Sequence, residues 1–338
     1  MAEKDKVVGF LPVFSALAGN LIVALLKFVA FLLSGSSVMF SEAVHSLADT
    51  LNQSFLAIGL KRSTKKPSDD FAYGFGRERF FWALISACGI FFLGAGVTIY
   101  RGVSALIHPE ALPTGLVPYV VLLVSFVIES ITFYLALHEL RSDHHKQSFR
   151  HILKNGDPST LAVLYEDGVA LLGVIVAFVS ILLTSLTGQY YYDAFGSIII
   201  GLMLAGVALL LISKNREYLL GKAIPDELEE EIVSILEADP AIEKVIDFKS
   251  TTLDIGIYRI KCEIEFNGYV LLREIYQSRS TTLRDDYDEV KDDFEEFKKF
   301  CADYCDRLPR LVGKKIDEIE LRLKTEYPGV KYIDIEIN

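Results

Sequence analysis

Cysteine is scarce in this 338-residue chain, and its four copies, Cys88, Cys262, Cys301 and Cys305, make neither a Cys-x-x-Cys pair nor a disulfide framework. There is no long basic run, and the formal net charge is −11. That excludes a nucleic-acid partner, whose phosphates need a clustered positive face. His138-Glu139 has no histidine three residues later, so a zincin-type site is absent. Gly74-Phe75-Gly76 lacks both the third glycine and the preceding strand of a dinucleotide fingerprint. No histidine follows His151, and no internal repeat or low-complexity tract interrupts the chain. Lysine and arginine are missing from three short segments, 34–37, 108–114 and 187–191.

Apolar residues are what the chain has in excess. They make up 51% of it, with a mean hydropathy of +0.34, above what a compact aqueous fold of this size shows. A run of about 18 or more apolar residues crosses a ~30 Å hydrocarbon layer as a helix. Six such runs fall at 7–33, 38–60, 80–107, 115–140, 160–186 and 192–212. The first is too long for a signal-peptide core and has no small-residue cleavage site after it. A water-soluble helical bundle would need polar faces, whereas 80–100 is apolar nearly all round. The segments that do carry Lys and Arg alternate with the three that do not: Lys61, Arg62, Lys65, Lys66, Arg77 and Arg79, then Arg141, Lys146, Arg150 and Lys154, with Lys4, Lys6, Lys214 and Arg216 at the ends. The expectation is a multi-pass protein in lipid with both termini on the positive, cytoplasmic side. In a prokaryote that is the cell or inner membrane.

Charge divides the chain near Gly221. Residues 1–220 hold 16 basic and 16 acidic side chains, and residues 221–338 hold 18 against 29. The second part reads as a small α+β domain. Pro225-Asp226-Glu227-Leu228 starts a helix with an apolar stripe at Ile232, Ile235 and Leu236. Ile255, Tyr258, Ile260, Cys262, Ile264 and Phe266 largely alternate as a half-buried strand, and Val330 to Ile337 alternates as a closing one. An acidic helix is expected around Asp285 to Asp306 with Phe294, Phe297, Phe300 and Tyr304 on one face. Cys301 and Cys305 share that face and are expected to be buried with it. A separate helix is marked by Ile316, Ile319 and Leu323.

Ionisable residues within an apolar run cost ~2.5–3.5 kcal/mol each on insertion scales and mark functional sites. The second run has Ser41, Glu42, His45, Asp49 and Asn52, the fifth Glu166 and Asp167, the fourth Glu129, the first Asn20 and Lys27, and the sixth Asp193. Ser41, His45 and Asp49 are four apart and share a helix face, which Asn52 extends. An imidazole and a carboxylate at i and i+4 offer nitrogen and anionic oxygen to one divalent ion. The alternative is a buried His–Asp hydrogen bond that tightens a helix bundle. His144-His145 reads as a solvated loop in preference to a metal entrance.

Six runs, His45-x-x-x-Asp49 in the second, an acidic site in the fifth and a small α+β domain resemble the cation diffusion facilitator (cation efflux) family. Ser41-Glu42-Ala43-Val44-His45-Ser46-Leu47-Ala48-Asp49, Tyr73-Gly74-Phe75-Gly76-Arg77-Glu78-Arg79 and His108-Pro109-Glu110 are similar to that family's phrases, and Glu166-Asp167 to its branch that includes a mitochondrial zinc exporter. The resemblance implies a six-span membrane domain, 1–220, followed by a ferredoxin-like cytoplasmic domain, 221–338. It implies a homodimer joined through both domains, exchanging a divalent cation for protons. Metal ligands His45, Asp49 and Asp167 follow from it, with the metal as cargo and no resident cofactor.

Three departures shape that expectation. The first ligand position in the fifth run falls at Val163, leaving Glu166, Glu129 or water as the fourth ligand. A second site near Asp69 and Asp70 is not expected, because its histidine position is Phe75. Histidine-containing regulatory sites are excluded from 221–338, where an acidic helical segment at about 271–308 looks like an insertion. Zn²⁺ is the expected cargo, with Mn²⁺ or Fe²⁺ open because the donors are rich in carboxylate. Metal requires neutral imidazole and ionised carboxylates, so protons compete with it for the same atoms. A non-transporting membrane metal sensor or scaffold is the rival from another class. An intramembrane hydrolase lacks a supporting motif.

Overall fold

A computed structural model describes residues 10–108, 115–143, 158–277 and 281–338. Lys4, Lys6, Pro109, Glu110, His144, His145, Lys146, Arg150, His151 and Lys154 lie outside the described residues. The chain forms two compact units, Met1–Leu220 and Gly221–Asn338.

The first unit holds the helices α1 (Phe10–Ser34), α2 (Ser37–Ser63), α3 (Glu78–Ile107), α4 (Val117–Asp143), α5 (Pro158–Thr187) and α6 (Tyr191–Leu220). Among the described residues, four stretches are long and apolar enough to cross a membrane: α3, α4 through Leu135, α5 from Leu164, and α6. The apolar stretch described in α1, Asn20–Ser34, is shorter. Helix α2 carries Glu42, His45 and Asp49 and lacks a fully apolar window. Gly35, at φ 63°, ends α1 in the left-handed conformation that a side chain would strain, and Ser36 caps α2 by accepting from the Met39 amide.

Large apolar side chains such as Leu25, Leu32, Phe92, Leu93, Leu123 and Leu202 face outward, while the interior cluster is rich in small residues, among them Ala30, Ala95, Ala177 and Ala208. This is the arrangement lipid favours, where close helix approach replaces a hydrophobic drive between helices. One such close approach joins α3 to α6. A Cβ on Gly102 would lie 2.7 Å from Ile198 Cγ1, and one on Gly201 2.6 Å from Ile99 Cγ1. Within α3, Ile90–Ala95 forms a π-helical turn, and a Cβ on its Gly94 would stand 3.9 Å from Ala48, the residue before Asp49.

The second unit runs α7 (Asp226–Glu237), β1 (Ile242–Asp254), β2 (Ile257–Phe266), α8 (Gly268–Gln277), α9 (Leu283–Val290), α10 (Phe294–Glu326) and β3 (Val330–Ile337). Its three strands are ordered β1-β2-β3, with β1 antiparallel and β3 parallel to β2. The hairpin turn is Ile255-Gly256, with Gly256 at φ 67°. Ile255 is therefore an exposed turn residue and not part of the strand. Ile232 and Leu236 of α7, Ile260, Cys262 and Ile264 of β2, and Ile319 and Leu323 of α10 close one core.

Two further expectations fail in this unit. The acidic helix and the Ile316 helix are one helix, α10, which passes through Pro309. A proline inside a helix removes one backbone bond. Here ion pairs Asp303–Arg307 and Asp306–Arg310 bridge the adjacent turns, and Pro309 itself is exposed. The segment before it is a separate short helix, α9, started by a reciprocal cap between Thr282 and Asp285. Burial of the cysteine pair also fails: Cys301 is half-buried and Cys305 exposed, alongside exposed Phe294 and Phe297. The physical reason is that the buried positions of α10, Val312, Ile319 and Leu323, all lie in its second half, where it covers the sheet.

Candidate metal centre

Helical spacing on α2 sets His45 and Asp49 one turn apart. Nε2 of His45 stands 3.7 Å from Oδ2 of Asp49, beyond hydrogen-bond length. His45 is 2% exposed, and neither of its ring nitrogens has a hydrogen-bond partner. The tightening His–Asp hydrogen bond is therefore not what this pair makes. A buried imidazole with two unsatisfied nitrogens is costly unless something else engages it.

Helix α5, which carries Glu166 and Asp167, packs against α2. Asp49 is in electrostatic range of both, and Glu129 of α4 is in range of Asp49 and Asp167. The two neighbouring carboxylates on α5 point ~100° apart. Glu166 is buried and takes a hydrogen bond from the Asn52 amide on Oε2, while its Oε1 has no partner. The amide is held from the other side, because the Ser86 hydroxyl of α3 donates to Asn52 Oδ1 at 2.6 Å. A chain Ser86–Asn52–Glu166 thus fixes one carboxylate of α5 from two other helices.

Beside it lies a buried ion triad. The Lys27 ammonium of α1 is fully buried, 2.8 Å from Glu42 Oε2 and 2.7 Å from Glu129 Oε1. Glu129, one of the open choices for a fourth ligand, has that oxygen already engaged.

Among the described residues, no three His, Cys, Asp or Glu side chains converge closely enough to hold one ion. The geometry joins His45 to Asp49 and brings α5's pair alongside without closing all four on a point. Two residues of the polar set serve elsewhere. Ser41 hydrogen-bonds to the Ser37 carbonyl and pairs with the Ser197 hydroxyl of α6 at 2.6 Å. Asp193 accepts from the Ser36 hydroxyl and, at 2.6 Å, from the Ser37 amide, so it anchors the start of α2. Ser86 was not legible as a site residue. A lone serine in an apolar run is unremarkable, and its partner Asn52 is 34 positions away.

Residues 13–220 match the cation efflux transmembrane domain. The chain belongs to the cation efflux family. It is 37% identical over 320 residues to the mouse protein named proton-coupled zinc antiporter SLC30A9, mitochondrial, covering 92% of this chain and 55% of the mouse one. An Arabidopsis thaliana relative, metal tolerance protein C4, is 34% identical over 95% of this chain and 72% of its own. The Bacillus subtilis manganese efflux system protein MneP is 23% identical over 65% of this chain and 72% of its own. The chain spans about half the length of the mammalian relatives it matches. The family is one of membrane transporters.

Proposed function

We propose that this cation efflux protein is a proton-coupled Zn²⁺ exporter that works by alternating access across six spans, with both termini in the cytoplasm. The observation that carries the site is His45: buried, with both nitrogens unpartnered, and 3.7 Å from Asp49, which itself lies within electrostatic range of both carboxylates of α5. His45, Asp49 and Asp167 would bind the cargo ion, with Glu166 as the fourth donor held by Asn52. The long His45–Asp49 separation leaves room for an ion to be gripped by inward movement of α5. Protonation of the same donors on the far side would release the metal, since ligation needs neutral imidazole and ionised carboxylate. A homodimer, joined through both units, is part of the reading by family resemblance.

Mn²⁺ is the second cargo to test, because three of the four donors are carboxylates and harder than imidazole or thiolate. The deciding experiment is proteoliposome flux with a panel of divalent ions and an internal pH dye. Zn²⁺ movement with opposing proton flux is expected. Metal binding without transport would favour the sensor reading instead.

A further inference from the structure

The ion triad beside the proposed transport site is not needed to ligate the cargo, yet it places three charges in the interior of the membrane unit. Lys27 contributes one positive charge against two carboxylates, so the triad carries a formal charge of −1. Its ammonium touches both Glu42 and Glu129, and it is the only cation that the described contacts place there. Each carboxylate still has a buried oxygen with no partner, Glu42 Oε1 and Glu129 Oε2. Room for the first of these comes from α5, where a Cβ on Gly173 would lie 2.8 Å from it. Glu42 is three residues before His45 on α2, so this acidic pair adjoins the proposed site without belonging to it.

Two buried carboxylates that face one point form a position suited to a hard divalent cation, which takes oxygen ligands singly or in pairs. We propose that the Lys27 ammonium is a built-in cation occupying a second metal position formed by Glu42 and Glu129, and that it restricts the membrane unit to one dication per chain. The inference rests on His45 and Asp49 forming the transport site. The ammonium lets the two glutamates keep a negative field beside that site while denying it a second occupant. It also supplies the compensation without which buried carboxylates are strongly destabilising. If the triad served only to tie α1, α2 and α4 together, removing its charge would not change how many ions bind.

The test measures bound Zn²⁺ and Mn²⁺ per chain in the full-length detergent-solubilised protein, by elemental analysis after equilibrium dialysis against each metal alone. The variants are Lys27→Met and the triple Lys27→Met/Glu42→Gln/Glu129→Gln. The expected result is one ion for the parent, two for Lys27→Met and one for the triple variant. One ion for a folded Lys27→Met protein overturns the proposal and leaves the transport site standing. No ion for the parent sinks the transport-site reading. In that case one ion gained by Lys27→Met still supports the latent position, and none overturns it. Should Lys27→Met fail to fold without metal, rescue of its melting temperature by Mn²⁺ or Zn²⁺, not needed by the triple variant, supports the proposal. Absence of any rescue overturns it.

Discussion

Replacing Asn52 by alanine tests whether the Ser86–Asn52–Glu166 chain positions a ligand or merely knits helices. In the folded protein the Asn52 amide donates to Glu166 Oε2, and the other oxygen of that carboxylate has no partner. Asn52→Ala therefore leaves a buried carboxylate without its donor and strands the Ser86 hydroxyl, which donates to Asn52 Oδ1 at 2.6 Å. A hydrogen bond to a charged group contributes about 1.5–3 kcal/mol. At about 1.4 kcal/mol per factor of ten, that corresponds to roughly 10–100-fold in affinity. Loss of a group that orients a metal ligand costs about the same range. Ser86→Ala removes only a bond between neutral groups, about 0.5–1.5 kcal/mol, and should weaken binding by roughly 2–10-fold. The assay is calorimetric Zn²⁺ titration of detergent-solubilised protein, run beside thermal unfolding without metal. Asn52→Ala binding Zn²⁺ within a factor of about two of the parent, at a lowered melting temperature, would refute the positioning role and leave a purely structural one.

Alanine at His45, Asp49 or Asp167 should abolish Zn²⁺ transport in proteoliposomes while leaving folded protein in the membrane, and Glu166→Ala should reduce it substantially; a normal rate for Asp49→Ala contradicts the site. Gly201→Ala should lower the melting temperature, because its Cβ would stand 2.6 Å from Ile99 Cγ1 and 3.1 Å from the Ile99 amide nitrogen. Overpacking of this kind costs ~1–3 kcal/mol, or about 2–4 °C per kcal/mol in a unit of this size. Gly206→Ala on the same helix meets nothing within 4 Å, and equal melting shifts for the two would show that the α3–α6 approach does not limit stability. In the second unit, burial pushes the Cys262 thiol up to about 11, so at pH 7.5 it is protonated as well as enclosed. A maleimide should modify exposed Cys305 and spare Cys262, with mass spectrometry of peptides as the readout; early labelling of Cys262 would contradict the packing of β2.

What the sequence alone determined about this protein is what repeats over a few residues. Helices α1 to α6 lie over the six apolar runs, because a sustained apolar run favours helix whatever it packs against, and four of them hold a stretch long and apolar enough to cross a membrane. The closing strand Val330–Ile337 and the helix after Pro225 were legible for the same reason. The His45–Asp49 pairing is legible too, since four residues make one helical turn. Partners far apart in the chain were settled only by tertiary structure. Lys27 and Glu129 were each visible as costly charges, but they meet across 102 positions. Asn52 extends the polar face of Ser41, His45 and Asp49 in sequence, and its bond to Glu166 spans 114 positions. Ser41 shares the face of His45 in sequence, yet α6 draws it to Ser197, 156 residues on. The aromatic stripe and cysteines of α10 show the same limit from the other side. Periodicity marks a face, but only the length of the sheet beneath decides which half of that face is covered.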